Sequence, residues 1–321
     1  MPAISSIAPG KIILCGEHAV VYGEPAIALP VDQVHSKTII VPLPSAPAGE
    51  VRIVAPGIGL YTTLDKLNEN HSLHLALMLI QKEFGISHFP ACEIRVTTTI
   101  PIASGLGSSA SITVSLTRAV AQFLGHPLPD EVVNQIAFET EKIHHGTPSG
   151  IDNTVITYQS PVYFRKGQPL ERMAIKNGFT MLIADTGMPS STAQMVKFVH
   201  DRWLEERKTF DSCFSRIGEI CQMIYQVLRT ADLKEQAHLL TENHELLKTI
   251  GVSTSELDTL VNVALQAGAR GAKLSGGGGG GNMIAIVDEA SISTVSEALS
   301  QAGAEKILVA HIPASLRGAN G

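Results

Sequence analysis

Apolar positions along this chain change period several times, and each change marks a predicted element. Lys11 to Leu14 is a short apolar run, and residues 37–43 (KTIIVPL), 51–54 (VRIV) and 92–100 (CEIRVTTTI) are β-branched or alternate. A period of two predicts half-buried strands there. Residues 72–84, 107–124 and 130–144 carry apolar side chains at helical spacing, and Asp130 and Glu131 suit the positive end of the third helix. Residues 153–158 (NTVITY) and 161–164 (PVYF) predict two strands joined by a turn, and 179–185 (FTMLIAD) predicts another. Helical periods then cover 192–229, 233–249 and 255–267, with the residues up to Ser275 (AKLS) taken as helical too. A glycine run follows, then a strand at 283–287, a helix at 291–302 and a last strand at 306–311. The pattern is α+β, with a domain boundary near residue 178, giving 1–178 and 179–321. No internal repeat of 20 to 50 residues is present.

Composition narrows the function classes. The chain has 321 residues, 44% hydrophobic and 17% charged, with a net charge of −6. It lacks the clustered lysines and arginines that a nucleic acid partner demands. The first residues do not read as a signal peptide, and no run of 18 apolar residues occurs, so a cytoplasmic protein with no membrane contact is expected. Four cysteines, none in a CxxC pair, read as free thiols in a reducing compartment.

Four segments carry chemistry. Residues 101–111 (PIASGLGSSAS) follow a strand and open a helix. Glycines there let the backbone approach a ligand, and the helix start offers free N–H groups to a phosphate. A plain turn with serine caps stays open, as does the dinucleotide pattern GxGxxA over Gly105, Gly107 and Ala110. Against the dinucleotide reading, Asp130, 20 residues on, starts a helix where that fingerprint needs an acid ending a strand. No GK[ST] sequence is present.

In residues 139–152 (ETEKIHHGTPSGID), Glu141 lies at the unfavourable end of a helix dipole, which suggests a cation partner. Asp152 lies behind turn formers at the start of a predicted strand, where a carboxylate is a candidate base or a turn-bonding side chain. His144 and His145, like His71 and His74, read as helix-end histidines rather than metal ligands. In residues 8–24 (APGKIILCGEHAVVYGE), Lys11, Glu17 and His18 bracket an apolar strand. Gly276 to Gly281 join two predicted core elements, where glycine lets backbone approach backbone or ligand.

Together, APGKIILCGEHAVVYGEPA, PIASGLGSSAS, HHGTPSGIDN and KLSGGGGGG resemble the motifs of the GHMP kinase superfamily, in family order from residue 8 to 282. The first and third have the form of the mevalonate kinase family within it. The resemblance implies an N-terminal domain with a left-handed βαβ crossover, a ferredoxin-like C-terminal domain and an active site in the cleft between them. It implies ATP and mevalonate as substrates, Mg²⁺ as cofactor, and often a homodimer. Asp152 then resembles the catalytic aspartate and Lys11 its partner, with Ser109 and Glu141 the Mg²⁺ ligands. Gly105, Leu106, Gly107, Ser108, Ser109, Ala110, Gly277, Gly278 and Gly279 would cradle the nucleotide. Glu17, His18 and Thr192 would meet the acceptor. Two departures stand in the last motif, where the family reads Ala and Cys and this chain has Gly277 and Asn282.

Overall fold

Turn residues and caps set the limits of most elements in the computed structural model, which describes residues 3–101, 105–145 and 149–315. In chain order these are β1 (Ile4–Cys15), β2 (Pro25–Pro42), β3 (Val51–Ala55), β4 (Leu60–Thr63), α1 (Ser72–Phe84), β5 (Cys92–Thr98), α2 (Ser108–Phe123), α3 (Asp130–His145) and α4 (Ile151–Tyr158). Then follow β6 (Val162–Arg165), β7 (Glu171–Arg172), β8 (Phe179–Asp185), α5 (Thr192–Glu205), α6 (Arg207–Thr230), α7 (His238–Thr249) and α8 (Ser255–Gln266). The last are β9 (Gly271–Ser275), β10 (Asn282–Val287), α9 (Ile292–Gln301) and β11 (Lys306–Ile312). His71 caps α1 through Nδ1, which accepts the Leu73 N–H at 3.2 Å. Ser191 and Thr254 do the same for α5 and α8.

The chain divides into two compact units, the first from the described residues of 1–10, 34–102 and 107–159, the second from those of 11–33, 103–106 and 160–321. In the first, β3 pairs β4 antiparallel and β5 parallel, and residues 36–42 of β2 pair β5 antiparallel, Ser36 opposite Thr98. The period-two pattern turns Ile53, Ile94 and Val96 inward, onto Leu77 and Ile80 of α1 and Leu116 and Val120 of α2. In the second, β11-β8-β10-β9 form an antiparallel sheet, Ile284 standing between Ile183 and Lys273. β10 is buried along its whole length and β8 as far as Ala184, so both read as continuous apolar runs rather than as alternation. Among the described residues no helix is long and apolar enough to cross a membrane.

Three sequence expectations are corrected. Residues 153–158 are not a strand but most of α4. Their β-branched residues favour a strand locally, yet Asn153 to Thr157 are buried against α2 and α3, and packing overrides that preference. The stretch before the glycine run is strand β9, because α8 ends at Gln266 and the Gly268–Gly271 turn follows. A Cβ on Gly271 would stand 1.9 Å from the Ala237 carbonyl oxygen, so only glycine admits this approach. The helix expected over 192–229 breaks at Glu206, which leaves helical geometry between α5 and α6.

Candidate active site

In the first unit, a short link turns α2 back into α3, and side chains lock the antiparallel pair. Arg118 donates to Asp130 at 2.7 Å near one end, and Thr140 Oγ1 donates to Thr113 Oγ1 at 3.3 Å toward the other. Ser109 is one turn before Thr113 and Glu141 follows Thr140, so both stand at the same end of the hairpin. Ser109 Oγ is buried with no hydrogen-bond partner among the described residues, and Glu141 is only 3% exposed. Gly107, at φ 75°, adopts the left-handed turn from which Ser108 starts α2, and Ala110 is buried. Ser111 Oγ donates to the Ala8 carbonyl at 2.8 Å and accepts the Ser36 N–H at 3.2 Å, fastening this helix start to β1 and β2. Asp152 lies half-buried in the first turn of α4, whose neighbour Asn153 donates to Asn134 Oδ1 on α3 at 2.7 Å. The expected turn residues Gly146, Thr147 and Pro148, and Ile102, Ala103 and Ser104 of the other loop, lie outside the described residues.

In the second unit, Lys11 is buried on β1, and its N–H donates to the Leu106 carbonyl at 2.9 Å. That bond ties the Gly105-Leu106 loop to the strand that carries Lys11. At the end of β1, Cys15 packs its thiol 2.8 Å from that of Cys221 on α6, both fully buried. Glu17 and His18 follow and are also buried. Glu17 Oε1 accepts from Lys273 Nζ, and Glu17 Oε2 has no partner among the described residues. His18 sits at φ 58°, uncommon for a residue with a Cβ. Its Nε2 lies 2.8 Å from the Gly277 carbonyl. A carbonyl only accepts, so Nε2 carries the proton and Nδ1 is the acceptor. Burial lowers the His18 pKa below 6.5; the Gly277 carbonyl opposes this, and the Lys273 ammonium adds to the lowering.

The glycine run packs on two loops. Gly279 N–H donates to the Val252 carbonyl at 2.8 Å, Gly281 N–H to the Met188 carbonyl at 3.0 Å, and Ser190 Oγ to the Gly278 carbonyl. Gly278, at φ 72°, leaves no room for a side chain, since a Cβ would lie 2.1 Å from the Val252 carbonyl oxygen. Gly277 differs. A Cβ there would stand 3.1 Å from Thr192 Cα and Oγ1, so glycine lets the exposed start of α5 approach a few tenths of an ångström closer than alanine would. Asn282, the other departure, begins β10 and is buried.

Three residues that sequence reasoning missed complete this part. Lys273 is fully buried on β9 and donates to the Leu274 carbonyl at 2.5 Å as well as to Glu17. The Leu274 N–H donates to His244 Nδ1 at 3.3 Å, and His244 Nε2 faces Asp258 Oδ1 at 3.1 Å. The signal for Lys273 was present, a lone cation inside an apolar run just before six glycines. His244 and Asp258 carry no such mark, being single polar residues on ordinary amphipathic helices.

His244 gives a pH prediction. Burial, against the attraction of Asp258, holds its pKa down at about 4. Between pH 6.5 and 4 the unfolded chain binds a proton that the native ring refuses, so stability falls as pH falls through that window. The loss from this group is roughly 3 kcal/mol. Replacing His244 with Asn should flatten the fall of urea midpoint between pH 7 and 4, and an unchanged slope would assign that fall to other groups.

Comparison with known proteins places this arrangement. The GHMP kinases N terminal domain matches residues 70–160, and the GHMP kinases C terminal domain matches residues 223–305. Mevalonate kinase of Thermococcus sibiricus is 31% identical over 329 residues, 94% of this chain and 94% of that protein. Mevalonate kinase of Pyrococcus horikoshii is 32% identical over 305 residues, 87% of each. The crystal structure of L. major mevalonate kinase in complex with R-mevalonate superposes with a TM-score of 0.83 at 28% identity, over 98% of this chain and 97% of that one.

Proposed function

The chain belongs to the mevalonate kinase family of the GHMP kinases, and from that premise we propose that it transfers the γ-phosphate of ATP to the C5 hydroxyl of (R)-mevalonate. The products are 5-phosphomevalonate and ADP. The observation that carries this reading is a match over 94% of the chain to a mevalonate kinase, with Lys11, Ser109, Glu141 and Asp152 present in the segments that resemble the family motifs. In this reading the N-terminal end of α2, with Gly105, Leu106, Gly107, Ser108 and Ala110, receives the phosphates, and Gly277 to Gly279 line the nucleotide side. Asp152 accepts or positions the proton of the attacking hydroxyl, and Lys11 stabilises charge growing on that oxygen. Glu17, His18 and Thr192 orient the acceptor. Phosphoryl transfer asks little more of a protein than positioning and charge.

Ser109 and Glu141 would hold Mg²⁺. A buried hydroxyl oxygen without a partner and a buried carboxylate are the hard oxygen donors this ion takes. The ion, when bound, neutralises phosphate oxygens. Glu141→Gln removes an anionic donor and Ser109→Ala a neutral one. Each should raise the Mg²⁺ concentration for half-maximal rate, Glu141→Gln the more. An unchanged Mg²⁺ dependence in both variants would remove them as ligands.

The substrate is tested by ADP release with a panel of acceptors. Mevalonate should be turned over with the highest kcat/KM. A preference for phosphomevalonate, homoserine or galactose would reassign the chain within the superfamily.

A further inference from the structure

We propose that Lys273, which need not touch the acceptor, is the positioning residue for Glu17: it engages Oε1 and leaves Oε2 as the oxygen offered to an acceptor hydroxyl. The inference rests on the acceptor role of Glu17 given above.

An ammonium is costly to bury, and Lys273 has no exposed surface at all. Two of its three protons are accounted for, by Glu17 Oε1 and the Leu274 carbonyl. Leu274 is itself held through its N–H, which donates to His244 Nδ1, and the Nε2–H of that ring points to Asp258. Asp258 also accepts from Ser253 at 2.6 Å. A chain of contacts therefore runs from α8 through α7 to the edge strand β9 and ends on Glu17. The strand is fixed further by the Ala272 N–H to Thr241 Oγ1 at 3.2 Å and by Ser275 Oγ to the Ile13 carbonyl at 2.7 Å. The second bond joins β9 to β1 four residues before Glu17.

The two carboxylate oxygens of Glu17 thus have different roles. Oε1 is consumed by a rigidly mounted cation. Oε2 is buried with no partner among the described residues, a state that costs free energy unless a ligand supplies the missing donor. A hydroxyl donor fits it, whereas a second carboxylate does not.

The test is a double-mutant cycle of Glu17→Gln and Lys273→Gln, with thermal melting and nucleotide affinity recorded for each protein. It uses whichever of mevalonate, phosphomevalonate, homoserine and galactose the wild type turns over fastest. A wrong substrate assignment then appears in the wild type, and the cycle still reports on Lys273. Each single variant should raise the acceptor KM by about tenfold or more and change nucleotide affinity by less than about twofold. The double variant should match Glu17→Gln alone in kcat/KM, because Lys273 acts through Glu17. If Lys273→Gln does not fold, His244→Gln, which withdraws the Nδ1 acceptor from the Leu274 amide, takes its place in the cycle. Multiplicative losses, or a wild-type acceptor KM in a folded Lys273→Gln or His244→Gln protein, would overturn the proposal.

Discussion

Asp152→Asn should lower kcat by about 10²–10⁴, the usual contribution of a positioned general base. The substitution keeps the shape of the side chain and of the first turn of α4, so the fold should be unaffected. Lys11→Met keeps the length of the stem, loses the charge, and should cost a similar factor. In the proposed mechanism each residue is useful only when the other has done its part. The base matters if the oxygen it uncovers is stabilised, and the cation matters if that oxygen is in place. The double variant should therefore be little worse than the poorer single one, as for other catalytic groups that act together. Affinity for Mg-ATP should change far less, since the α2 loop and the proposed metal ligands remain. Single-turnover rates for the three variants, with nucleotide affinity measured separately, check this. Multiplicative losses would make the residues independent, and a near-normal rate for Asp152→Asn would take it out of the chemistry.

Lys273→Met should cost about 3–5 kcal/mol of stability, because it leaves the Glu17 carboxylate buried beside an apolar side chain. Lys273 has no exposed surface and the Glu17 side chain is 2% exposed, so little water can take over from the lost ammonium. Adding Glu17→Gln to Lys273→Met removes the stranded charge and should recover most of the loss. Urea midpoints of the two singles and the double measure it. A Lys273→Met protein as stable as the wild type would mean that Glu17 finds another partner or solvent.

Much of this fold was legible from period alone, because most elements have one buried face. The alternation of β5 and the helical spacing of α1 and α3 each mark such a face. Two segments buried on both faces were misread, whereas β8 and β10, equally buried, were recognised as apolar runs of strand length. NTVITY is buried almost throughout and forms α4, and a short apolar run has no period that separates helix from strand. GAKLS is buried at all five positions and forms β9, directly after a turn that a single sequence does not distinguish from a frayed helix. The candidate site divides in the same way. Lys11, Glu17, Ser109, Glu141 and Asp152 stand in motifs whose glycines and turns announce them. Lys273, His244 and Asp258 meet only because β9, α7 and α8 pack together, and no local pattern carries that information.

Transfer of phosphate to one particular hydroxyl is the central claim, and the ³¹P spectrum of the product tests it most directly. Mevalonate has a primary alcohol at C5, a tertiary alcohol at C3 and a carboxylate at C1. A phosphate on C5 neighbours two methylene protons and should appear as a triplet without proton decoupling, with one ADP formed per phosphate transferred. A single unsplit resonance, from a phosphate on C3 or C1, or ADP formed with inorganic phosphate alone, would contradict the account.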